Sequence, residues 1–273
     1  MKRLLAIALA CAPMAASAAE QAPDLSLTRL DCGRAIEPWP LGAFDDTGGA
    51  ADLKKAIVGS CYLVRHDERL MIWDTGIDPA TSGDPDGGFL LDRTLVEQLA
   101  QLGVTPADIE FVGVSHYHYD HTGQAKAFPQ ATLLIGEEDW QAITHDPPLG
   151  NANPADFPAW IAGKAKVETF AGDKDVFGDR SVVILDMPGH TPGHHALLVR
   201  LPRTGPVLLT GDLAHFTENY EREGVPTFNT DRADTLASFD RFKKMAQNLG
   251  AKVVIQHEPA DVARLPTFPE AAR

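Results

Sequence analysis

Cysteine is scarce in this chain, with three in 273 residues: Cys11, Cys32 and Cys61. A closed zinc site built from thiolates has too few ligands here, and a cysteine nucleophile has no motif to sit in. Basic side chains are also short, 24 Lys and Arg against 38 Asp and Glu, for a net charge of −14. That imbalance repels nucleic acid and anionic membrane surfaces, which argues against both as partners. A long apolar run is missing too. The stretch Leu4–Met14 is too short to cross a bilayer as a helix, so no membrane insertion is expected.

What that stretch does resemble is a leader. Met1, Lys2 and Arg3 precede it, and Ala16-Ser17-Ala18 offers a small-x-small cleavage site. Residues 1–18 therefore read as a secretory signal peptide, and the expected location is periplasmic or secreted. Leu9 and Ala10 fit a lipid-attachment signal at Cys11 poorly. Removing the leader takes Lys2 and Arg3 away and leaves 22 basic against 38 acidic groups, or −16. The remaining two cysteines, Cys32 and Cys61, can pair in an oxidising compartment and tie the N-terminal segment to the next strand.

Residues 19–273 read as a single domain, with no internal repeat and no linker that would divide it. Residues 19–58 look irregular apart from a strand at Leu25–Leu30. "SCYLVRH" and "RLMIWDTG" form a hairpin about Asp67-Glu68, and "DPATSGDPDGG" is a breaker-rich loop. A helix follows with Leu91, Leu95, Leu99 and Leu102 on one stripe, stopped at Gly103. Thr105-Pro106-Ala107-Asp108 is an N-cap and helical turn leading into the buried strand "IEFVGVS". Three further apolar strands lie at Ser181–Met187, Gly205–Gly211 and Ala251–Gln256. Between the last two, a helix from Arg232 to Leu249 carries Leu236, Phe239, Phe242, Met245 and Leu249 as a core stripe. This mixture is α/β. The proline-rich segment Thr144–Gly163 reads as an ordered insertion over the surface.

The chain has ten histidines, and "SHYHYDHTG" holds three of them between positions 116 and 121. Alone at a loop, any one would ordinarily be a solvated side chain. Their partners change that. His116, His118, Asp120 and His121 follow "FVGVS"; His190 follows one downstream strand, Asp212 a second and His257 the last. Side chains placed at strand C-terminal ends gather at one edge of an α/β sheet. His116 and His118, two apart, point the same way in an extended segment, while Asp120 and His121 at a helix start can aim at a second point. Two divalent metal ions are thus expected: one on His116, His118 and His190, the other on Asp120, His121 and His257, with Asp212 between them. Nitrogen and carboxylate ligands without cysteine suit catalytic zinc, Zn2+; cobalt, manganese and iron are also compatible.

Together, "DTG" at Asp74–Gly76, "HYHYDHTG", "PGHTPGH" at Pro188–His194 and "TGD" at Thr210–Asp212 resemble the metallo-β-lactamase superfamily over nearly the whole mature chain. The resemblance implies an αββα sandwich, with Asp74 and His194 supporting the site without being ligands. Asp212 as a bridge is unlike true β-lactamases, and His118 stands where oxygen-reducing di-iron members have glutamate. The stretches "ENYE" and "VP", Glu218–Glu221 and Val225-Pro226, are similar to N-acyl-homoserine lactonases, the quorum-quenching enzymes.

That resemblance implies an enzyme that opens a lactone ring by attack of a hydroxide shared by two metals. Asp120 is then the candidate proton donor, and a small-molecule lactone or ester the partner. Arylesterase, organophosphate triesterase and glyoxalase-II-like thioesterase activities are the alternatives on the same site. A redox di-iron protein and a non-catalytic binding protein are answers of a different class. A homodimer is compatible with the family. Many of these lactonases place a tyrosine three residues after the bridging aspartate; here it is His215. An imidazole there either donates to the substrate carbonyl, with a charge that depends on pH, or simply neighbours the site. Tyr117 and Tyr119 are expected to pack, His66, His145 and His195 to be structural, and Phe157 or Trp160 to wall an acyl groove.

Overall fold

The computed structural model describes residues 23–84 and 88–273. The leader expected at 1–18 lies outside the described residues. The strands are β1 Leu25–Ala35, β2 Trp39–Pro40, β3 Lys54–Lys55, β4 Val58–His66, β5 Arg69–Trp73, β6 Phe89–Leu90 and β7 Phe111–Gly113. They continue as β8 Thr132–Gly136, β9 Val167–Phe170, β10 Lys174–Asp175, β11 Val182–Asp186, β12 His195–Leu201, β13 Gly205–Leu209 and β14 Lys252–Val254. The helices are α1 Leu95–Gln101, α2 Tyr119–Thr122, α3 Glu137–Thr144, α4 Pro158–Ile161, α5 Thr217–Arg222, α6 Arg232–Leu249 and α7 Pro259–Val262. No described helix is long and apolar enough to cross a membrane.

Two sheets stack. The first runs β6-β1-β4-β5-β7-β8-β9 and the second β10-β11-β12-β13-β14. Alternation along β4 shows how one strand serves two layers, since successive side chains point to opposite faces. Tyr62 and Val64 join Trp73, Ile184, Leu197 and Val254 in the core between the sheets. Cys61 and Leu63 face the other way, towards Leu95 and Leu99 of α1 and Ile143 of α3. On the far side of the second sheet, Phe239 and Phe242 of α6 cover Leu185, Leu198 and Leu208. The result is the expected αββα sandwich, with Asp231 capping the start of α6 and Gly250, at φ +57°, ending it.

The hairpin of β4 and β5 turns at Asp67 and Glu68 as expected, with Asp67 in the left-handed region at φ +54°. Cys32 on β1 and Cys61 on β4 form a disulfide with Cα atoms 5.8 Å apart.

Several boundaries differ from the sequence expectation. The strand read at Leu25–Leu30 continues to Ala35 through a register shift between Asp31 and Arg34, which hides its alternation. The leucine-striped helix begins only at Leu95, because Thr94 and Glu97 form a capping box there; Leu91 lies before it. Strands β8 and β12 and helix α3 had no counterpart in the sequence reading. Both strands are buried on two faces, so "TLLIG" and "HALLVRL" read as continuous apolar runs without a period of two.

Candidate metal centre

Five strand ends supply the site. Asp74 follows β5, His116 and His118 follow β7, His190 follows β11, Asp212 follows β13 and His257 follows β14. Asp120 and His121 lie in the single turn of α2, whose start at Tyr119 swings them away from His118. Gly211, at φ +53°, lets the chain turn sharply after β13. A Cβ there would lie 2.6 Å from His194 Nε2, so only glycine lets Asp212 approach.

The imidazoles converge in two groups. His118 Nδ1 is 2.9 Å from both His116 Nε2 and His190 Nε2, and those two are 3.2 Å apart. In the second group, His121 Nε2 and His257 Nε2 are 3.2 Å apart. The Asp120 carboxylate is 3.9 and 3.7 Å from those two atoms. Asp212 spans both groups. Its Oδ2 is 3.3 Å from His190 Nε2 and 3.6 Å from His116 Nε2. Its Oδ1 is 2.9 Å from His257 Nε2 and 3.1 Å from His121 Nε2. All seven residues singled out by sequence as ligands therefore meet, and all come from one chain.

Hydrogen bonds at the outer ring nitrogens set which way the lone pairs face. His190 Nδ1 lies 2.8 Å from Asn229 Oδ1, His257 Nδ1 2.7 Å from the Val58 carbonyl, and His121 Nδ1 3.0 Å from Asp74 Oδ2. His116 Nδ1 lies 3.0 Å from Ser115 Oγ. With its proton on the outer nitrogen and donated to such an acceptor, each ring has an Nε2 lone pair to offer inward to a cation, the arrangement of metal-ligating histidines. Nitrogen atoms packed at 2.9–3.2 Å cannot all be satisfied by the protons they share. Asp212 Oδ1, though close to two of them, is buried without a hydrogen bond. A cation in each group resolves both problems, so the residues present fit two metal ions.

Electrostatics follow from the same packing. Burial holds His116 well below the usual imidazole range and takes His118 down to about 3. At His121 burial acts the same way but is outweighed by Asp212, Asp74 and Asp120, which hold it well above that range. Burial likewise opposes a raised His257, which Asp212 favours. Asp212 itself would be pushed up by burial, yet the surrounding imidazoles hold it well below the usual carboxylate range.

Asp74 and His194 take the supporting positions expected of them. Asp74 Oδ1 accepts from Ser115 N–H at 2.7 Å, and Oδ2 accepts from Gln256 Nε2 at 2.9 Å as well as from His121. His194 donates from Nδ1 to the Met187 carbonyl at 2.8 Å and accepts from Asp212 N–H at 2.9 Å.

His215 Nε2 lies 3.1 Å from Asp212 Oδ2, while its buried Nδ1 has no partner. Burial lowers its pKa and favours the neutral ring, in which a proton on Nε2 would be donated to Asp212 Oδ2.

A cavity of about 310 Å³ opens beside the site, walled by Trp39, Phe44, Ile57, Tyr119, Asn151 and Phe228. Phe157 and Trp160, expected at this wall, are instead buried in the core under α1 and α3. Of the insertion Thr144–Gly163, Asn151 reaches the cavity. Tyr117 packs in that core as expected, whereas Tyr119 is exposed at the cavity rim. Trp39 and Phe44 escaped sequence reading because the turn-rich segment around them has no periodicity. Ser115, Asn229 and Val58 escaped because a tertiary hydrogen bond leaves no local signal.

The model for the metallo-beta-lactamase superfamily matches residues 55–257. The N-acyl homoserine lactonase AttM of Azorhizobium caulinodans is 33% identical over 215 residues, covering 72% of this chain and 81% of that protein. Among solved structures, an N-acyl homoserine lactone hydrolase with the product N-hexanoyl-L-homoserine bound at its catalytic metal centre superposes with a TM-score of 0.77. It is 23% identical and covers 90% of this chain and 98% of that one. The dizinc quorum-quenching lactonase AidC gives a TM-score of 0.65 at 22% identity, over 92% and 91% of the two chains. At these identities the structural likenesses speak to the fold alone.

Proposed function

The chain belongs to the metallo-beta-lactamase superfamily, and on that premise we propose that it is an exported dinuclear-metal hydrolase that opens the ring of an N-acyl homoserine lactone. The observation that carries this reading is Asp212, whose two oxygens face two separate groups of imidazoles at the mouth of an apolar cavity. His116, His118 and His190 would hold one ion, Asp120, His121 and His257 the other, with Asp212 shared between them. Zinc is the expected metal, as the donor set and the dizinc relative suggest. Two such ions, when bound, supply Lewis acidity to a lactone carbonyl and lower the pKa of water beside it.

The protein's own groups do the rest. Trp39, Phe44, Ile57 and Phe228 line the cavity with apolar surface that would receive the acyl chain and exclude bulk water. Neutral His215 donates to Asp212 and fixes that carboxylate in place. Asp120 lines the same cavity and is the candidate to hand a proton to the departing ring oxygen. Water adds to the acyl carbon and gives one proton to the Asp120 carboxylate, the ring C–O bond breaks, and the alkoxide takes up that proton from Asp120. The acid formed then releases one proton to solvent at neutral pH.

Export is supported by the leader pattern at residues 1–18 and by the Cys32–Cys61 disulfide, a bond that persists in oxidising compartments. The test is a panel of acyl-homoserine lactones of graded chain length, paraoxon-type esters and S-lactoylglutathione, followed by proton release. Lactone turnover well above the other substrates is expected. No lactone turnover, with brisk hydrolysis of another substrate, would overturn the assignment.

A further inference from the structure

Behind the loop that carries His190 lies a second cavity, of about 490 Å³, whose lining includes Glu137 and Glu138 from the first turn of α3, Asp234 from that of α6, and Asp186 and His195. No lysine or arginine lines it. His195 opens β12 and stands directly opposite Asp186 of β11, so the two side chains share one face of the sheet. The His195 ring is almost wholly buried, at 1% exposure, and Phe170 packs edge-on against it with centroids 4.8 Å apart. Its Nδ1 donates to the Gly193 carbonyl at 2.7 Å. That leaves Nε2 of this cavity-lining ring buried without a hydrogen-bond partner, and Asp186 Oδ1 is 3.7 Å away.

Burial holds the His195 ring below the usual imidazole range, against the pull of the Gly193 carbonyl and of Asp186. An Nε2 lone pair facing a carboxylate is relieved by positive charge placed between the two, and a divalent ion supplies it while leaving the Nδ1 hydrogen bond intact. His257 has the same anchoring, with Nδ1 fixed by a backbone carbonyl at 2.7 Å and Nε2 turned inward. Two ligands at bonds of about 2.1 Å and a tetrahedral angle sit about 3.4 Å apart. The 3.7 Å observed needs only a small swing of the Asp186 side chain, which is 38% exposed.

From this geometry we propose that the His195 imidazole and the Asp186 carboxylate form a further divalent-cation site, separate from the dinuclear centre. Glu137, Glu138 and Asp234 supply negative charge around it, and water completes its coordination. A transition metal is the fitting occupant, because an imidazole lone pair beside a carboxylate is a ligand set such ions prefer.

The site does not depend on which ester the protein hydrolyses, and its test reads metal content. Purified full-length protein is dialysed against a fixed micromolar concentration of free zinc, and bound zinc is counted by elemental analysis beside a calorimetric zinc titration. His195→Gln and Asp186→Asn are each expected to bind one zinc fewer than the unmodified protein, with hydrolytic activity retained. If His195→Gln does not fold, Asp186→Asn carries the test, since its side chain is partly exposed. Equal zinc counts in the unmodified protein and a folded variant would overturn the proposal.

Discussion

Asp74 touches none of the space where an ion would sit, yet Asp74→Asn should weaken metal binding, and the size of the effect follows from its contacts. The carboxylate is fully buried and accepts three hydrogen bonds, from Ser115 N–H, His121 Nδ1 and Gln256 Nε2. Asparagine keeps one acceptor, which can stay with Ser115. Its amide group then meets the N–H groups of His121 and Gln256, donor against donor. Each buried donor left without an acceptor costs about 1–3 kcal/mol, so two cost about 2–6 kcal/mol of folding stability. His121 also loses the partner that fixes its tautomer with Nε2 facing inward, and such a loss typically weakens metal affinity about 10–100-fold. Competition with a chromophoric chelator measures the affinity, and urea unfolding of the chelator-treated protein measures the stability. Asp74→Asn with zinc affinity within about twofold of the unmodified protein would refute the claim that Asp74 orients His121.

Burial pushes Asp139, which accepts from Thr191 Oγ1 and Gly193 N–H, up to about 7. The folded state then holds a proton that the unfolded chain releases near pH 4, so stability of the metal-free protein should fall as pH rises from about 4 to 7, by up to about 4 kcal/mol. Asp139→Asn should flatten that slope in urea titrations run across the same pH range; an unchanged slope would remove Asp139 as its source. Reducing the Cys32–Cys61 disulfide opens a loop with a sequence separation of 29 and should cost about 3–4 kcal/mol, read as a lower urea midpoint with and without reductant. Phe228 is 48% exposed on the cavity wall, so Phe228→Ala should leave the fold intact. It should lower kcat/KM for long-chain lactones about 5–30-fold, mostly through KM, and change short-chain turnover little.

Most of the site could be read in the sequence because its chemistry is concentrated in short loops that directly follow apolar strands. "HYHYDHTG" and the residues after three later strands bring seven ligand candidates together, and the structure converges them as the topology requires. The walls of the cavity could not be read. Trp160, expected from its place in a proline-rich insertion to wall the acyl groove, instead donates its indole N–H to the Ala131 carbonyl in the interior. Trp39 and Phe44, in a stretch with no regular alternation, turned out to face the site. Strands β8 and β12 were missed for a related reason: doubly covered strands lose the polar face that gives alternation its signal. His215 was found, but its preference for donating to Asp212 depends on a distance only the fold sets.

Crystals of the zinc-loaded protein, measured at the zinc absorption edge, test the central claim most directly. The account predicts two anomalous peaks roughly 3.5–4 Å apart, one among His116, His118 and His190, the other among Asp120, His121 and His257, with an oxygen of Asp212 on each. A single peak, or a pair that does not contact Asp212, would contradict it.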